Sequence, residues 1–446
     1  MRKLSKKEIL NDYRIANESR QLSILGRREV LTGKAKFGIF GDGKEVPQLA
    51  MAKVFKDGDW RSGYYRDQTF MLATGMMSLE EFFAQLYGNT DIKAHSGGGR
   101  MMNNHFATRT LDDNGEWKDL TAQKNSSADI SPTAGQMPRL LGLALASKIF
   151  RNNPGLENQK QFSNNGNEVA FGTIGDASTS EGIFFETINA AGVLKVPMAI
   201  SIWDDAYGIS VPKKYQTTKE NISEILKGFE KDDHDNGFLI YKEKGWDYIA
   251  LCIMYDEGIK KCRKEHIPVM FHVDELTQPQ GHSTSGSHER YKSNERLQWE
   301  AQFDGIKKMR EWIISEGIAD EAELDQIEAA SVVRAKEARK KAWESYIKPI
   351  RQHRDDFLRM VDISTCNCAK TSRINAIKQE LAIVGDPNWK DIMSSGKRIL
   401  RLICDNCSNP QNSLKKNVMS WRDQASKNKA EDYNSFLWSN SKHSVM

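Results

Sequence analysis

The chain has 446 residues and a formal net charge of +4, with 39% hydrophobic and 28% charged residues. That composition suits a globular protein with a sizeable core, and so small a charge gives no reason to expect nucleic-acid or membrane binding. Six cysteines are too few for a disulfide scaffold, no apolar run approaches a membrane span, and the basic start MRKLSKK leads into no apolar stretch, so a cytoplasmic location is the default expectation.

Residues 1–30 carry Ile9, Leu10, Tyr13, Ile15 and Ala16 on roughly one face, which predicts a helical arm over 1–33. Residues 34–110 are rich in glycine and aromatics, with turns at Gly41-Asp42-Gly43 and Ser96-Gly97-Gly98-Gly99 and helices expected at 46–55 and 79–87. An apolar helix is expected at 136–150, followed by a polar surface loop. The segments 168–174 and 197–203 read as buried strands flanking a helix at 180–194. That strand–helix–strand unit requires a parallel pair. A helix at 246–263 and a strand at 267–274 continue the alternation, so the expected class is α/β with a doubly wound, mostly parallel sheet. Residues 294–345 are charged and helical, and 346–446 read as a C-terminal helical extension or linker without strand pattern. The three expected parts are therefore 1–33, 34–345 and 346–446.

The segment Gly175-Asp176-Ala177-Ser178-Thr179-Ser180-Glu181-Gly182 follows a strand and opens a helix. Ligands gather at the carboxyl ends of parallel strands, and a helix start there offers free N–H groups to a phosphate. The next strand ends in Trp203-Asp204-Asp205-Ala206-Tyr207-Gly208. If the two strands are neighbours, Asp176 and Asp205 meet at one sheet edge, where mutual repulsion calls for a hard divalent cation. Residue chemistry alone thus predicts a site for Mg²⁺ and a diphosphate.

Gly175-Asp176-Ala177, with Asp205 downstream, resembles the Gly-Asp-Gly…Asn signature of thiamine diphosphate proteins. The surroundings resemble the alpha chain of the first component of pyruvate and branched-chain 2-oxo acid dehydrogenases. Four more segments match in order: Tyr65-Arg66, Gly99–His105, Ser131–Pro138 and Gly281–Ser285. The resemblance covers roughly residues 30–345 and implies a thiamine diphosphate-binding fold. It implies Mg²⁺ held by Asp176, Asp205 and the Tyr207 carbonyl. It places the cofactor against Tyr65, Arg66, Ser131, Thr133, Gly175, Asp176, Ala177, Ser178, Asp205, Tyr207 and His282. Arg66 would grip the diphosphate through its fork of donors. His282 would transfer a proton or stabilise the bound intermediate, and His105 would contact substrate.

Four departures from the family pattern stand out. Ala177 replaces the last glycine of the signature and is tolerable if its φ is negative. Asp205 replaces asparagine, adding a carboxylate that needs neutralising beside a diphosphate. Trp203 stands where a branched-chain relative has an arginine. Gly135 replaces a hydroxyl residue, so the monovalent cation of some relatives is not carried over.

The reaction the resemblance implies is decarboxylation of a 2-oxo acid with reductive acyl transfer to the lipoyl group of a partner acyltransferase. The Ser131–Pro138 and Gly281–Ser285 segments lean toward a branched-chain substrate over pyruvate. The glutamate that activates the cofactor lies in a beta chain or beta half, fused or separate, so an oligomer is expected and the chain alone should be inactive. Two rivals remain open at this point: a metal-dependent phosphohydrolase using the Asp176, Asp204 and Asp205 cluster, and a non-catalytic, scaffold-like relative that has lost the cofactor. Cys366, Cys368, Cys404 and Cys407 form two close pairs that can make a structural zinc site, although Cys366-x-Cys368 is an uncommon half and both pairs sit in helical-looking sequence. His95 and His288 read as surface residues, and Ser283, Ser285 and Ser287 as ordinary loop composition.

Overall fold

The computed structural model describes residues 4–234, 236–364, 370–403 and 414–432, and the four paired cysteines lie outside them. The strands in chain order are β1 (Trp60–Ser62), β2 (Asn125–Ser126), β3 (Ala170–Gly175), β4 (Met198–Trp203), β5 (Tyr207–Gly208), β6 (Val211–Pro212), β7 (Leu239–Lys244) and β8 (Val269–Asp274). Six of them form one sheet in the order β2-β1-β3-β4-β8-β7, every neighbouring pair parallel. β5 and β6 form a separate antiparallel hairpin.

The helices are α1 (Lys6–Leu31), α2 (Glu45–Ala52), α3 (Gln68–Ala73), α4 (Leu79–Tyr87), α5 (Met137–Asn152), α6 (Gly182–Leu194), α7 (Ile222–Ile225), α8 (Tyr248–Glu265), α9 (Asn294–Gln302), α10 (Gly305–Ser315), α11 (Glu321–Ser364), α12 (Thr371–Ala382), α13 (Trp389–Leu402) and α14 (Leu414–Asp432). Caps set several starts. Ser5 and Glu8 form a capping box on α1, Ser78 and Glu81 one on α4, and Asp247 accepts from the Ala250 amide on α8. Among the described residues, no helix is long and apolar enough to cross a membrane.

The expected doubly wound architecture is present, and the period of two along the strands explains it. Phe171, Ala199, Trp203, Phe271 and Val273 point to a core shared with α1, α2, α4 and α8. Ala170, Ile174, Ile200, Ile202 and Met270 point to the opposite core under α5 and α6. Each fully buried Val, Ile, Phe or Met among them contributes about 1.5–3 kcal/mol relative to exposure.

A third core joins α11 to α14 around Phe357, Val361, Ile374, Ile392, Ile399 and Val418. α11 runs unbroken through residue 345 with Pro349 inside it. Its first half packs Ala335, Ala338 and Ala342 into the first core, and its second half feeds the third. A single helix thus couples the α/β body to the C-terminal helices.

Candidate active site

The register of the sheet builds the site. Gly175 pairs with Trp203, and Trp203 with Val273, so β3, β4 and β8 end level. The Asp176 amide donates to the Trp203 carbonyl at 3.2 Å, and the Asp204 amide to the Val273 carbonyl at 2.9 Å. The chain therefore leaves the sheet at Asp176, at Asp204-Asp205 and at Glu275 side by side. Above these ends lies a cavity of about 360 Å³.

Every residue expected to touch the cofactor lines that cavity. Tyr65 and Arg66 enter from the loop after β1, Ser131 and Thr133 from the segment before α5, and His282 from the loop after β8. Gly175, Asp176, Ala177 and Ser178 form one wall, and Asp205 and Tyr207 another. Ala177 opens a 3₁₀ turn with an ordinary negative φ, so the missing glycine is tolerated. His105 stands behind the wall: its Nε2 lies 3.2 Å from Ser131 Oγ, and its Nδ1 lies 3.1 Å from the Asn103 carbonyl. Nδ1 must then carry the proton, which leaves Nε2 to accept from Ser131. The Tyr65 ring stands between the two histidines, its centroid 6.1 Å from His105 and 6.3 Å from His282.

The two carboxylates differ sharply. Asp176 is buried, and its Oδ2 has no hydrogen-bond partner. Burial, then the charges of Asp204 and Asp205, hold its pKa well above the usual carboxylate range. Asp205 Oδ2 instead accepts from the Lys44 ammonium at 2.7 Å, and its Oδ1 accepts from the Tyr207 amide at 3.2 Å. Burial opposes the charge of Asp205, yet Lys44 and Arg66 outweigh it and hold the pKa below the usual range. The expected pair of free carboxylates is therefore one free and one already paired. Arg296 fixes the same turn from α9 by donating to the Asp205 carbonyl at 2.9 Å.

Asp204 is turned away from the cavity. Its Oδ1 accepts from the Ala206 amide, and its Oδ2 from Lys213 and from His272 Nε2, at 2.9, 3.0 and 3.1 Å. Asp204, His272 and Asp274 come close enough together to suggest a metal. Lys213 already sits among them, 3.5 Å from Asp274. Trp203, at the arginine position of a relative, is buried and donates Nε1 to Asp67 Oδ1 at 3.3 Å.

Arg66 is more committed than expected. It donates Nη1 to the Phe40 carbonyl at 2.5 Å, and Nη2 to His282 Nδ1 and to the His282 carbonyl at 3.0 and 3.1 Å. An arginine Nη can only donate, so His282 Nδ1 must accept and its proton sits on Nε2. Burial first, then Arg66, push the His282 pKa down to about 4. His282 is thus a neutral imidazole held by the residue expected to hold phosphate.

Several participants escaped the sequence reading. Lys44 has no motif around it beyond the Gly41-Asp42-Gly43 turn, and that turn has to be glycine. A Cβ on Gly43, whose φ is +84°, would lie 2.1 Å from the Thr277 carbonyl oxygen. Tyr64, Ile209 and Gln216 also line the cavity. His95 is not a surface residue: it is 4% exposed, and its Nδ1 accepts from the Gly97 amide. His288 is half-buried.

Residues 18–351 match the dehydrogenase E1 component family. The chain is 25% identical over 346 residues to the pyruvate dehydrogenase E1 component subunit alpha of Acholeplasma laidlawii, covering 77% of this chain and 86% of that one. It is 26% identical over 317 residues to the mitochondrial 2-oxoisovalerate dehydrogenase subunit alpha 1 of Arabidopsis thaliana, covering 70% of this chain and 58% of that one. It is 28% identical over 199 residues to the 2-oxoisovalerate dehydrogenase subunit alpha of Bacillus subtilis, covering 44% and 51%. The chain thus spans little more than half the length of the two 2-oxoisovalerate relatives.

Proposed function

The chain belongs to the dehydrogenase E1 component family, a family of oxidoreductases, as an alpha-type chain, and from that premise we propose that it holds thiamine diphosphate and Mg²⁺ in the cavity above β3 and β4. One observation carries the reading. Five segments distant in sequence converge on a single cavity, and the one buried carboxylate oxygen in its wall without a partner, Asp176 Oδ2, faces the place where a hard cation would sit. Asp176, Asp205 and the Tyr207 carbonyl would hold the ion, and the backbone from Gly175 to Ser178 would face the diphosphate.

When bound, thiamine diphosphate would supply the carbon nucleophile and the electron sink that decarboxylation of a 2-oxo acid needs. The protein's part is positioning and hydrogen bonding. His282 presents a neutral Nε2–H to the cavity, able to donate a hydrogen bond to a developing negative charge while Arg66 fixes its tautomer. His105, braced by Ser131, closes the same wall next to Tyr65. Both Asp204 oxygens already accept from protein donors and are turned from the cavity, so Asp204 is not free to ligate a metal there, which disfavours the metal-dependent phosphohydrolase alternative.

With a beta-type half supplying the activating glutamate, this site would decarboxylate a 2-oxo acid and pass the acyl group to a lipoyl-bearing acyltransferase. A branched-chain 2-oxo acid is the favoured substrate, on the Ser131–Pro138 and Gly281–Ser285 segments. Calorimetric titration should show thiamine diphosphate binding that requires Mg²⁺ and tightens with a beta-type partner. Turnover of 3-methyl-2-oxobutanoate should exceed that of pyruvate only in the reconstituted pair. Full turnover by the isolated chain would refute the division of labour.

A further inference from the structure

Asp205 stands where the family signature carries an amide, and the structure holds a cation against its extra charge. Lys44 lies 161 positions upstream and is 1% exposed. Its ammonium donates to Asp205 Oδ2 at 2.7 Å, to the Thr277 carbonyl at 3.0 Å and to Gln278 Oε1 at 2.9 Å. Three acceptors around one nitrogen match the three donors of an ammonium; a neutral amine has one fewer. Asp204 repeats the arrangement, with Lys213 on its Oδ2 at 3.0 Å. Of the three carboxylates that follow β3 and β4, two have an ammonium each. The third, Asp176, keeps an oxygen without a partner.

We propose that Lys44 is the fixed counter-charge of Asp205, so that the pair stands in electrically for a neutral amide and a divalent ion at this site answers to the single free carboxylate of Asp176. This inference rests on reading the cavity as a metal–diphosphate site. Lys44 does not line the cavity; it acts through Asp205 and is a positioning residue. Its bond to Oδ2 leaves Oδ1 on the Tyr207 amide, which shapes the turn whose carbonyl would face the ion. It also keeps a second net negative charge away from an anionic cofactor. The Gly41-Asp42-Gly43 turn serves this purpose, because its close approach to Thr277 delivers Lys44 to that spot.

The test is a double-mutant cycle on the full chain: wild type, Lys44→Gln, Asp205→Asn and the double variant, each melted with and without Mg²⁺ and with no cofactor present. Either single change orphans a buried charge and should lower Tm by roughly 3–5 °C, and the double variant should recover most of that loss. The Mg²⁺ response separates a charge-balancing role from a merely structural one. Lys44→Gln frees a second carboxylate, so Mg²⁺ should raise its Tm more than it raises that of the wild type. Asp205→Asn leaves an unpaired ammonium beside the ion and should lose the Mg²⁺ response. The double variant should respond like the wild type. Additive Tm losses, or a Lys44→Gln protein whose Mg²⁺ response equals that of the wild type, would overturn the proposal. Titration of wild type with thiamine diphosphate runs beside the cycle. Failure to bind there sinks the cofactor reading, while the Mg²⁺ cycle still decides the role of Lys44.

Discussion

Around the strand ends, Lys44, Arg61, Asp67, Asp129, Asp176 and Asp205 are all buried. The interior shared by α11 to α14 is built instead from Ile350, Phe357, Val361, Ile374, Ile392, Ile399 and Val418. The first region is held by charges that tolerate burial because all but Asp176 meet a partner. The second is held by shape and apolar area. The difference separates function from support: partners that must stay paired fix side chains to within a hydrogen bond, whereas an apolar cluster fixes only the packing of helices.

The sharpest way to break this contrast is at Arg61, which bonds to Asp67 Oδ2 at 2.6 Å and Asp129 Oδ2 at 3.0 Å with all three side chains 0% exposed. Arg61→Met orphans two buried carboxylates behind the cavity floor. It should cost about 5 kcal/mol in chemical denaturation, or prevent refolding altogether. Phe357→Ala comes next. Its ring lies 4.5 Å from that of Trp421 in the third core, and the truncation should cost about 3–4 kcal/mol. Hydrogen exchange should place that loss in α11 to α14 while the Mg²⁺-dependent affinity for thiamine diphosphate holds. A drop in affinity there would show that the two regions are energetically one.

Asp176→Asn should reverse the usual sign. The folded-state pKa of Asp176 is raised, so the native chain holds that proton more tightly than the unfolded one. Stability from this group is fully present in acid. It is lost as pH rises from the ordinary carboxylate range through the raised value, so toward neutral pH the unpartnered carboxyl costs stability relative to acid. The amide should stabilise the cofactor-free chain by about 1–2 kcal/mol near neutrality while abolishing Mg²⁺-dependent binding. The Tm advantage of the variant should shrink as pH falls toward 4. An advantage that does not change with pH would place the effect elsewhere.

How much of this could be read from the sequence follows from where the signals are local. β3, α6 and β4 are long, apolar and flanked by turn residues, so their pattern and the Asp176 and Asp205 ends were legible. β1 and β2 are three and two residues long, too short for any period to register. β7 is an edge strand reading Leu-Ile-Tyr-Lys-Glu-Lys, half-buried and half-exposed, which lacks the apolar run of a central strand. Lys44 was invisible because a lone lysine after a glycine turn looks like surface, and only the fold brings it to Asp205. His95 was misread for the same reason, since a glycine-rich loop suggests exposure until the loop is seen to fold over it.

The smallest expected effect lies in the turn that carries the Asp205 and Tyr207 contacts. Ala206 has φ +68°, a left-handed conformation that places its Cβ against the following carbonyl at about 1–2 kcal/mol. The turn is nevertheless held on both sides: the Ala206 amide donates to Asp204 Oδ1, and its carbonyl accepts from the Lys213 amide, both at 2.9 Å. Ala206→Gly relieves the strain but gives the unfolded chain more freedom, so the net gain should be only roughly 0.5 kcal/mol. Because Asp204, Lys44 and Arg296 still fix the turn, Mg²⁺-dependent cofactor binding should change by less than about threefold, equivalent to under about 0.7 kcal/mol. A larger loss of affinity would mean that the alanine itself restricts the turn, and that backbone stiffness, along with paired charge, sets the geometry at the strand ends.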